Sequence, residues 1–125
     1  MRYLLDTNIL IAAMKGHVAV RARLDATPLA LLVLSRVMRV EVALRVAKSQ
    51  RVEANAARLA HVAANLPLMP LDAETSRRYG AVRAHLEQRG MPIGANDFWI
   101  AAQALALDAT LVTDTAHEFR RVPGF

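Results

Sequence analysis

The chain has 125 residues, 54% of them hydrophobic and 22% charged, which is typical of a globular protein and leads us to expect one domain over residues 1–125. Its longest apolar runs, residues 9–14 and 29–34, are far too short to cross a membrane, and the acid at position 6 interrupts any signal peptide, so we expect a cytoplasmic protein. The sequence has no cysteine, which excludes disulfides, iron–sulfur clusters, thiolate zinc sites and a cysteine nucleophile.

The charge of the chain is strongly basic. Sixteen lysines and arginines, fourteen of them arginines, outnumber eleven acids and give a net charge of +5. If four of those acids lie in a metal site, only seven acids remain to balance the sixteen basic residues elsewhere. A basic exterior of this kind attracts polyanions such as nucleic acids. A soluble basic protein without a polyanionic partner explains the charge equally well.

Short apolar runs alternate with helical patterns along the first half of the chain. Asp6, Thr7 and Asn8 are of helix-capping types and follow the first run, and Ser35 follows the second. The predicted elements are a strand over 3–5, short helices over 9–15 and 17–25, a strand over 29–34, and helices over 36–49 and 53–65.

The second half continues the same alternation. The predicted elements are a weak strand over 68–71, a long amphipathic helix over 73–89, a loop over 90–95, an apolar helix from 96 or 97 to about 108, a strand over 110–113 and a helical turn over 116–119. Short apolar strands separated by helices indicate an α/β fold with a parallel sheet. Right-handed crossovers then place helices on both faces of the sheet.

Four acids stand where apolar segments meet turns or helices, and they are our candidate catalytic and metal-binding residues: Asp6, Glu41, Asp97 and Asp114. Asp6 and Asp114 directly follow predicted strands, and ligands of open parallel sheets bind outside the carboxyl ends of the strands. Glu41 lies about two turns into the helix after the second strand, and Asp97 opens the helix before the last one. If these elements meet, the carboxylates converge and need cations, so the pattern predicts a metal site built on oxygen ligands.

Each acid also has a simpler structural explanation. Asp6 and Asp97 are suited to cap or begin a helix, and the last acid is suited to a turn. Glu41 has Arg45 four residues later, a spacing that favours a surface ion pair. Against that pair, apolar residues at 37, 40, 42 and 44 predict a buried segment, in which a glutamate needs a partner.

Other chemistry-bearing residues are weaker candidates. The four histidines share no metal-ligand spacing, and only His117, three residues after Asp114, is placed to reach the rim of such a site. Ser35 and Thr113 have no evident base that would make either hydroxyl a nucleophile. Trp99 lies in an apolar helix and is expected in the core.

Four segments together carry a recognisable pattern. They are LLDTNILI at 4–11, the helix with Glu41 after Ser35, GANDFWIAA at 94–102, and TLVTD at 110–114. In this order and spacing they resemble the PIN domain family, and within it the VapC-type toxins of bacterial toxin–antitoxin pairs. The resemblance spans nearly the whole chain and implies a three-layer α/β/α fold around a parallel sheet of four to five strands.

The resemblance also implies an activity. It implies an endoribonuclease that depends on Mg²⁺ or Mn²⁺, with the four acids at the family's acidic positions. Thr7, Asn8 and Thr113 match the family's supporting polar residues. The resemblance further implies a homodimer and inhibition by a cognate VapB-like antitoxin, which lays a peptide over the active site.

The chain departs from the family pattern around its glutamate. Arg36 and Arg39 replace apolar or small polar residues, and Leu44-Arg45 replaces an aromatic–glycine pair. Thr115 stands where asparagine is common. A second expectation therefore stays open, namely a catalytically weak or inactive PIN-like module that binds RNA or a protein.

Overall fold

The computed structural model describes residues 2–64, 66–114 and 116–124, except for the side chain of Val62. These residues form four strands and seven α-helices. In chain order the elements are β1 (Tyr3–Leu5), α1 (Thr7–Met14), α2 (Val18–Ala26), β2 (Leu32–Ser35), α3 (Arg36–Ala47), α4 (Val52–Ala63), β3 (Leu68–Met69), α5 (Ala73–Gln88), α6 (Ala95–Leu107), β4 (Thr110–Val112) and α7 (Ala116–Phe119).

The four strands form one parallel sheet in the order β3-β2-β1-β4. Strand β1 lies at its centre, with Tyr3 beside Leu32 of β2 on one side and beside Thr110 of β4 on the other. The predicted α/β fold with a parallel sheet is confirmed, and four strands fall within the expected four to five. Because β1 and β4 are parallel neighbours, the residues that follow them emerge side by side at the carboxyl edge.

Helices cover both faces of the sheet, as the alternation of strand residues requires. Leu4 and Val33 point into a core that contains Phe98 and Ile100 of α6 and Leu86 of α5. The strand residues on the opposite face belong to a second core together with residues of α1, α3 and α4, and its buried members are Leu5, Leu10, Leu32, Leu34, Val42, Val46 and Leu59. This is the predicted arrangement of three layers.

Helix α3 contributes to both cores. Met38 belongs to the core under α5 and α6, whereas Val42 and Val46 belong to the core under α1 and α4. The three residues are spaced four apart, so they form one buried stripe along the helix. Val40 and Leu44 lie off that stripe and are 68% and 55% exposed, so the expectation that this segment is largely buried is wrong for these two residues.

The predicted second strand is also shorter than expected. Leu29–Leu31 form a 3₁₀ turn, in which the Leu31 N–H donates to the carbonyl of Pro28 at 2.9 Å, and the strand begins only at Leu32. Pro28 stands before this turn as its N-cap, with a ψ of 134°. The predicted end of the fourth helix at Asn65 lies outside the described residues. Within the described part of the chain, no helix is both long enough and apolar enough to cross a membrane.

Candidate active site

Asp6 leaves the end of β1 and begins α1. Its backbone N–H donates to the carbonyl of Val112 at the end of β4, at 2.9 Å, which fixes the two strand ends together. One carboxylate oxygen, Oδ1, accepts from the Thr7 N–H at 2.7 Å, and Oδ2 accepts from the Thr113 hydroxyl at 2.6 Å. Asp6 is therefore the N-cap that its position suggested, but its second oxygen joins a side-chain network at the carboxyl edge of the sheet.

Glu41 reaches the same edge from α3. The Thr7 hydroxyl donates to Glu41 Oε2 at 3.2 Å, so Thr7 lies between the two acids. The other oxygen, Oε1, is buried and has no hydrogen-bond partner among the described residues. The surface ion pair with Arg45 does not form, because the Arg45 guanidinium donates to Asn8 instead. A buried carboxylate oxygen without a partner is unfavourable unless a cation meets it.

Asp97 lies in the first turn of α6, whose N-cap is Gly94. Asp97 is therefore not the cap itself. A Cβ atom added to Gly94 would lie only 3.1 Å from Asp97 Oδ2, so the carboxylate folds back closely over the glycine. The pKa of Asp97 is raised from 3.8 to about 6, first by its burial and then by the charges of Asp6, Glu118 and Glu41. These acids act on one another across a shared space, which we call the acidic mouth.

Glu118 is a member of the acidic mouth that the sequence analysis missed. A hydrogen bond between Glu118 and Asp97 helps to raise the pKa of Asp97. Glu118 belongs to α7, which is anchored by the buried side chain of Phe119. The available signal was its position four residues after Asp114, within the predicted helical turn over 116–119. The neighbouring residue His117, a weaker candidate in the sequence analysis, is exposed.

Asp114 lies at the rim of the acidic mouth rather than inside it. The carboxylate is exposed, and its charge is not among those that raise the pKa of Asp97. The side-chain amide of Asn8 donates to Asp114 Oδ1 at 3.3 Å and accepts from Arg45 Nη1 at 3.0 Å. A chain of hydrogen bonds thus connects α3, α1 and the end of β4. The predicted departure at Thr115 lies outside the described residues.

The fold brings the predicted acids to one edge of the sheet, with three inside the acidic mouth and Asp114 at its rim. In the part of the chain that the structure describes, no three Asp, Glu or His side chains form a ready-made metal cage. The chemistry of the mouth nevertheless suits a cation. Burial and the neighbouring carboxylates raise the pKa of Asp97, and Oε1 of Glu41 offers a buried oxygen ligand that has no hydrogen-bond partner among the described residues. Oxygen ligands of this type are those that Mg²⁺ and Mn²⁺ prefer.

Comparisons with known proteins agree with this geometry. The family model for the PIN domain matches residues 3–124. The chain is 35% identical to "Ribonuclease VapC2" of Rickettsia felis, over 98% of this chain and 93% of the relative. It is 32% identical to the "tRNA(fMet)-specific endonuclease VapC" of Shigella flexneri, over 99% of this chain and 94% of the relative.

A solved structure gives the same result in three dimensions. The crystal structure of VapBC2 from Rickettsia felis, bound to a DNA fragment from its promoter, superposes with a TM-score of 0.91. The two chains are 35% identical, and the match covers 98% of this chain and 94% of the other. The fold, the acids at the carboxyl edge of the sheet and these matches lead to one conclusion: the chain belongs to the PIN domain family and, within it, to the VapC ribonucleases.

Proposed function

We propose that the protein is a metal-dependent endoribonuclease that hydrolyses RNA phosphodiester bonds and is inhibited by a cognate antitoxin. The observation that supports the chemistry best is the convergence of Asp6, Glu41 and Asp97. Burial, followed by the charges of Asp6, Glu118 and Glu41, raises the pKa of Asp97 to about 6. Carboxylates gathered in this way attract divalent cations, and a basic exterior attracts RNA.

The residues proposed to hold Mg²⁺ or Mn²⁺ are Asp6, Glu41 and Asp97, with Asp114 contributing from the rim. When bound, such an ion supplies a nucleophilic water at neutral pH and neutralises charge on the phosphate. The surrounding residues hold these carboxylates in place. Thr113 fixes Oδ2 of Asp6, Thr7 fixes Oε2 of Glu41, and Asn8 fixes Oδ1 of Asp114.

Glu118 joins this proposal through its contact with Asp97. A hydrogen bond between two carboxyl groups requires that they share a proton. Burial and neighbouring charges favour that proton on Asp97 in the metal-free protein. A cation bound at Asp97 would therefore replace the contact between Asp97 and Glu118.

The substrate and the partner follow from the relatives. The Shigella flexneri relative is named for tRNA(fMet), so we propose a transfer RNA as the first substrate to test. The Rickettsia felis relative was crystallised as a VapBC2 complex, so we propose an antitoxin of the VapB type as the inhibitor. Both RNA cleavage and its inhibition in a cell require these partners in one compartment, which supports a cytoplasmic location.

We also propose that two copies of the chain form a homodimer through the outer face of α3. Val40 and Leu44 are one helical turn apart on this face and are unusually exposed for large apolar residues. Leu44→Glu should convert a dimer into a monomer in light-scattering measurements. A mass that stays unchanged in this variant, or a monomeric unsubstituted protein, would exclude this surface as the dimer contact.

The test of the activity is RNA cleavage by the unsubstituted protein and by Asp6→Asn and Asp97→Asn, with Asp25→Asn as a control on the exposed α2 helix. We expect cleavage of total RNA and of initiator tRNA in Mg²⁺ or Mn²⁺, and no cleavage in EDTA. Both site variants should lose at least about a hundredfold in rate, because each removes a charge that acts directly on the metal or phosphate.

Three outcomes would contradict parts of this proposal. Full cleavage by both site variants would remove the catalytic assignment. Cleavage that persists in EDTA would remove the dependence on metal. RNA binding without cleavage under every metal condition would favour the non-catalytic RNA-binding module instead.

A further inference from the structure

A basic hollow lies between α1, α3 and α4, outside the acidic mouth. Its volume is about 220 Å³. Three of its lining residues are cations: Lys15 at the end of α1, Arg45 in the last turn of α3, and Arg58 on α4. None of the described residues that line it is acidic, and its full lining is Ile11, Met14, Lys15, Val42, Arg45, Val46, Ser49, Asn55 and Arg58.

The cations of the basic hollow are not neutralised by ion pairs. On α5, by contrast, Arg77 and Arg78 both pair with Glu74, and Arg83 pairs with Glu87. Among the described residues, no carboxylate lies within ion-pair distance of the three cations of the hollow. An unneutralised group of cations around a concave surface attracts anions more strongly than the same charges in pairs.

The floor and wall of the basic hollow differ in polarity. Ile11 and Met14 are half-buried and form the accessible apolar floor, whereas Val42 and Val46 are only 0% and 8% exposed. On the wall, Asn55 Nδ2 donates to Ser49 Oγ at 3.0 Å, and that hydroxyl in turn donates to the carbonyl of Val46 at 2.6 Å. A fixed polar wall over an apolar floor suits a nucleotide, which has an apolar base face and a polar sugar and phosphate.

Arg45 joins the basic hollow to the acidic mouth. The same guanidinium that lines the hollow donates to Asn8, which donates to Asp114 at the rim. A strand that leaves the mouth past Asp114 therefore meets Arg45 first. The two sites are linked by two consecutive hydrogen bonds of 3.0 and 3.3 Å.

The positive surface continues beyond the basic hollow. A second, more open hollow of about 440 Å³ shares Met14 and Arg58 with the first. It adds Arg21 and His61, and again no acid is found among its described lining residues. Arg45, Arg58 and Arg21 thus mark a continuous basic path that leads away from the acidic mouth, which suits a chain of phosphates better than a single anion.

We propose that the basic hollow is a nucleotide subsite for the RNA strand beside the scissile phosphate. Arg45, Lys15 and Arg58 bind backbone phosphates, and a base lies against the floor formed by Ile11 and Met14. The second hollow receives the strand as it continues past Arg58. This inference rests on the proposed ribonuclease function, since it assigns part of the substrate of that same site.

The test measures RNA binding by fluorescence anisotropy in the non-cleaving Asp97→Asn protein, so that it does not depend on catalysis. In that background, Lys15→Gln with Arg58→Gln removes two cations of the basic hollow. The matched control, Arg77→Gln with Arg78→Gln, removes two cations from α5. The probes are a single-stranded RNA of about 12 nucleotides, within the range of known single-strand sites, and a dinucleotide.

The hollow variant should bind the longer RNA about tenfold more weakly than its parent, and the control variant less than about twofold more weakly. For the hollow variant, the slope of the logarithm of the binding constant against the logarithm of the salt concentration should become shallower by about 1.4. Each lost phosphate contact on a single strand removes about 0.7 from this slope. The dinucleotide should also bind the hollow variant more weakly than the parent, because the proposed subsite itself holds a nucleotide. Melting curves of both variants serve to show that they remain folded.

Equal losses in the hollow and control variants would overturn the subsite. An acidic peptide such as deca-glutamate that binds the hollow more tightly than the RNA does would assign the hollow to a protein partner instead. Failure of the proposed function has a different signature, namely an unsubstituted protein that cleaves no RNA with any metal. The two failures are therefore distinguishable.

Discussion

Removing the charge of Asp97 should make the metal-free protein more stable. The pKa of Asp97 is raised from 3.8 to about 6 by burial and by the charges of Asp6, Glu118 and Glu41. The folded state therefore holds a proton on this carboxyl group more tightly than the unfolded state does. It follows that the protein loses stability as the pH rises from about 4 to about 6, and that the loss persists at higher pH.

The size of this effect follows from the difference between the two pKa values. At face value, the difference between 3.8 and about 6 corresponds to about 3 kcal/mol. Because the side chain is only half-buried, solvent screens the interaction, and we expect about 1 kcal/mol to remain. Asp97→Asn keeps the shape of the side chain and removes that penalty. For a domain of this length, 1 kcal/mol raises the Tm by about 3–5 °C.

The assay is thermal unfolding in EDTA at pH 8 and near pH 4. Asp97→Asn should melt about 3–5 °C above its parent at pH 8 and close to it near pH 4, where the parent carboxyl group is protonated. Mg²⁺ should stabilise the parent more than the variant and so reduce the difference between their Tm values at pH 8. The control is Asp72→Asn, because hydrogen bonds from Thr75 lower the pKa of Asp72, and removing its charge should give no stabilisation.

Either of two results would refute this reasoning. One is an Asp97→Asn protein that is no more stable than its parent at pH 8 without metal. The other is a stabilisation of equal size at both pH values, which would show that the gain does not come from the charge of Asp97.

Three further substitutions test other features of the structure. Gly94→Ala places a Cβ atom 3.1 Å from Asp97 Oδ2, so RNA cleavage should fall at least about tenfold while the Tm changes by less than about 2 °C; unchanged cleavage would contradict the close approach. Asp108 ends α6 with a φ of 50°, so Asp108→Gly should raise the free energy of unfolding in urea by about 0.5–1 kcal/mol, and a lower value would speak against strain at this position. Phe98 is fully buried beside the Tyr79 ring, so Phe98→Ala should lower the same free energy by about 3–5 kcal/mol; a loss below about 1 kcal/mol would be inconsistent with that packing.

The part of the site that depends on the sheet was predictable from the sequence. Short apolar runs followed at once by acids predicted that Asp6 and Asp114 leave strand ends, and parallel pairing of β1 with β4 brings those ends together. The residue that directly follows β4 is Thr113, whose hydroxyl donates to Asp6; only the family resemblance singled it out as a supporting residue. The two strand-end positions depend on local patterns and on the general rule that parallel strands share a carboxyl edge.

The features that were missed depend on contacts between distant segments. Glu118 lies on a helix of four residues, too short to show a hydrophobic period, and only the burial of Phe119 orients it. Glu41 and Arg45 have ideal spacing for an ion pair, yet Asn8 from another helix binds the guanidinium. Composition alone also made the α3 segment look largely buried, whereas the stripe through Val42 and Val46 leaves Val40 outside.

The carboxylate of Asp6 has two separate roles, and this has a practical consequence for anyone who probes the enzyme. Its Oδ1 caps α1 by accepting from the Thr7 N–H, while its Oδ2 accepts from the hydroxyl of Thr113. Alanine at this position removes both roles at once. An inactive Asp6→Ala protein could therefore have lost either the start of α1 or the chemistry of the site. Asparagine is an equally good helix cap and carries no charge. Asp6→Asn therefore keeps the capping of α1 and tests the role of the charge in the site alone.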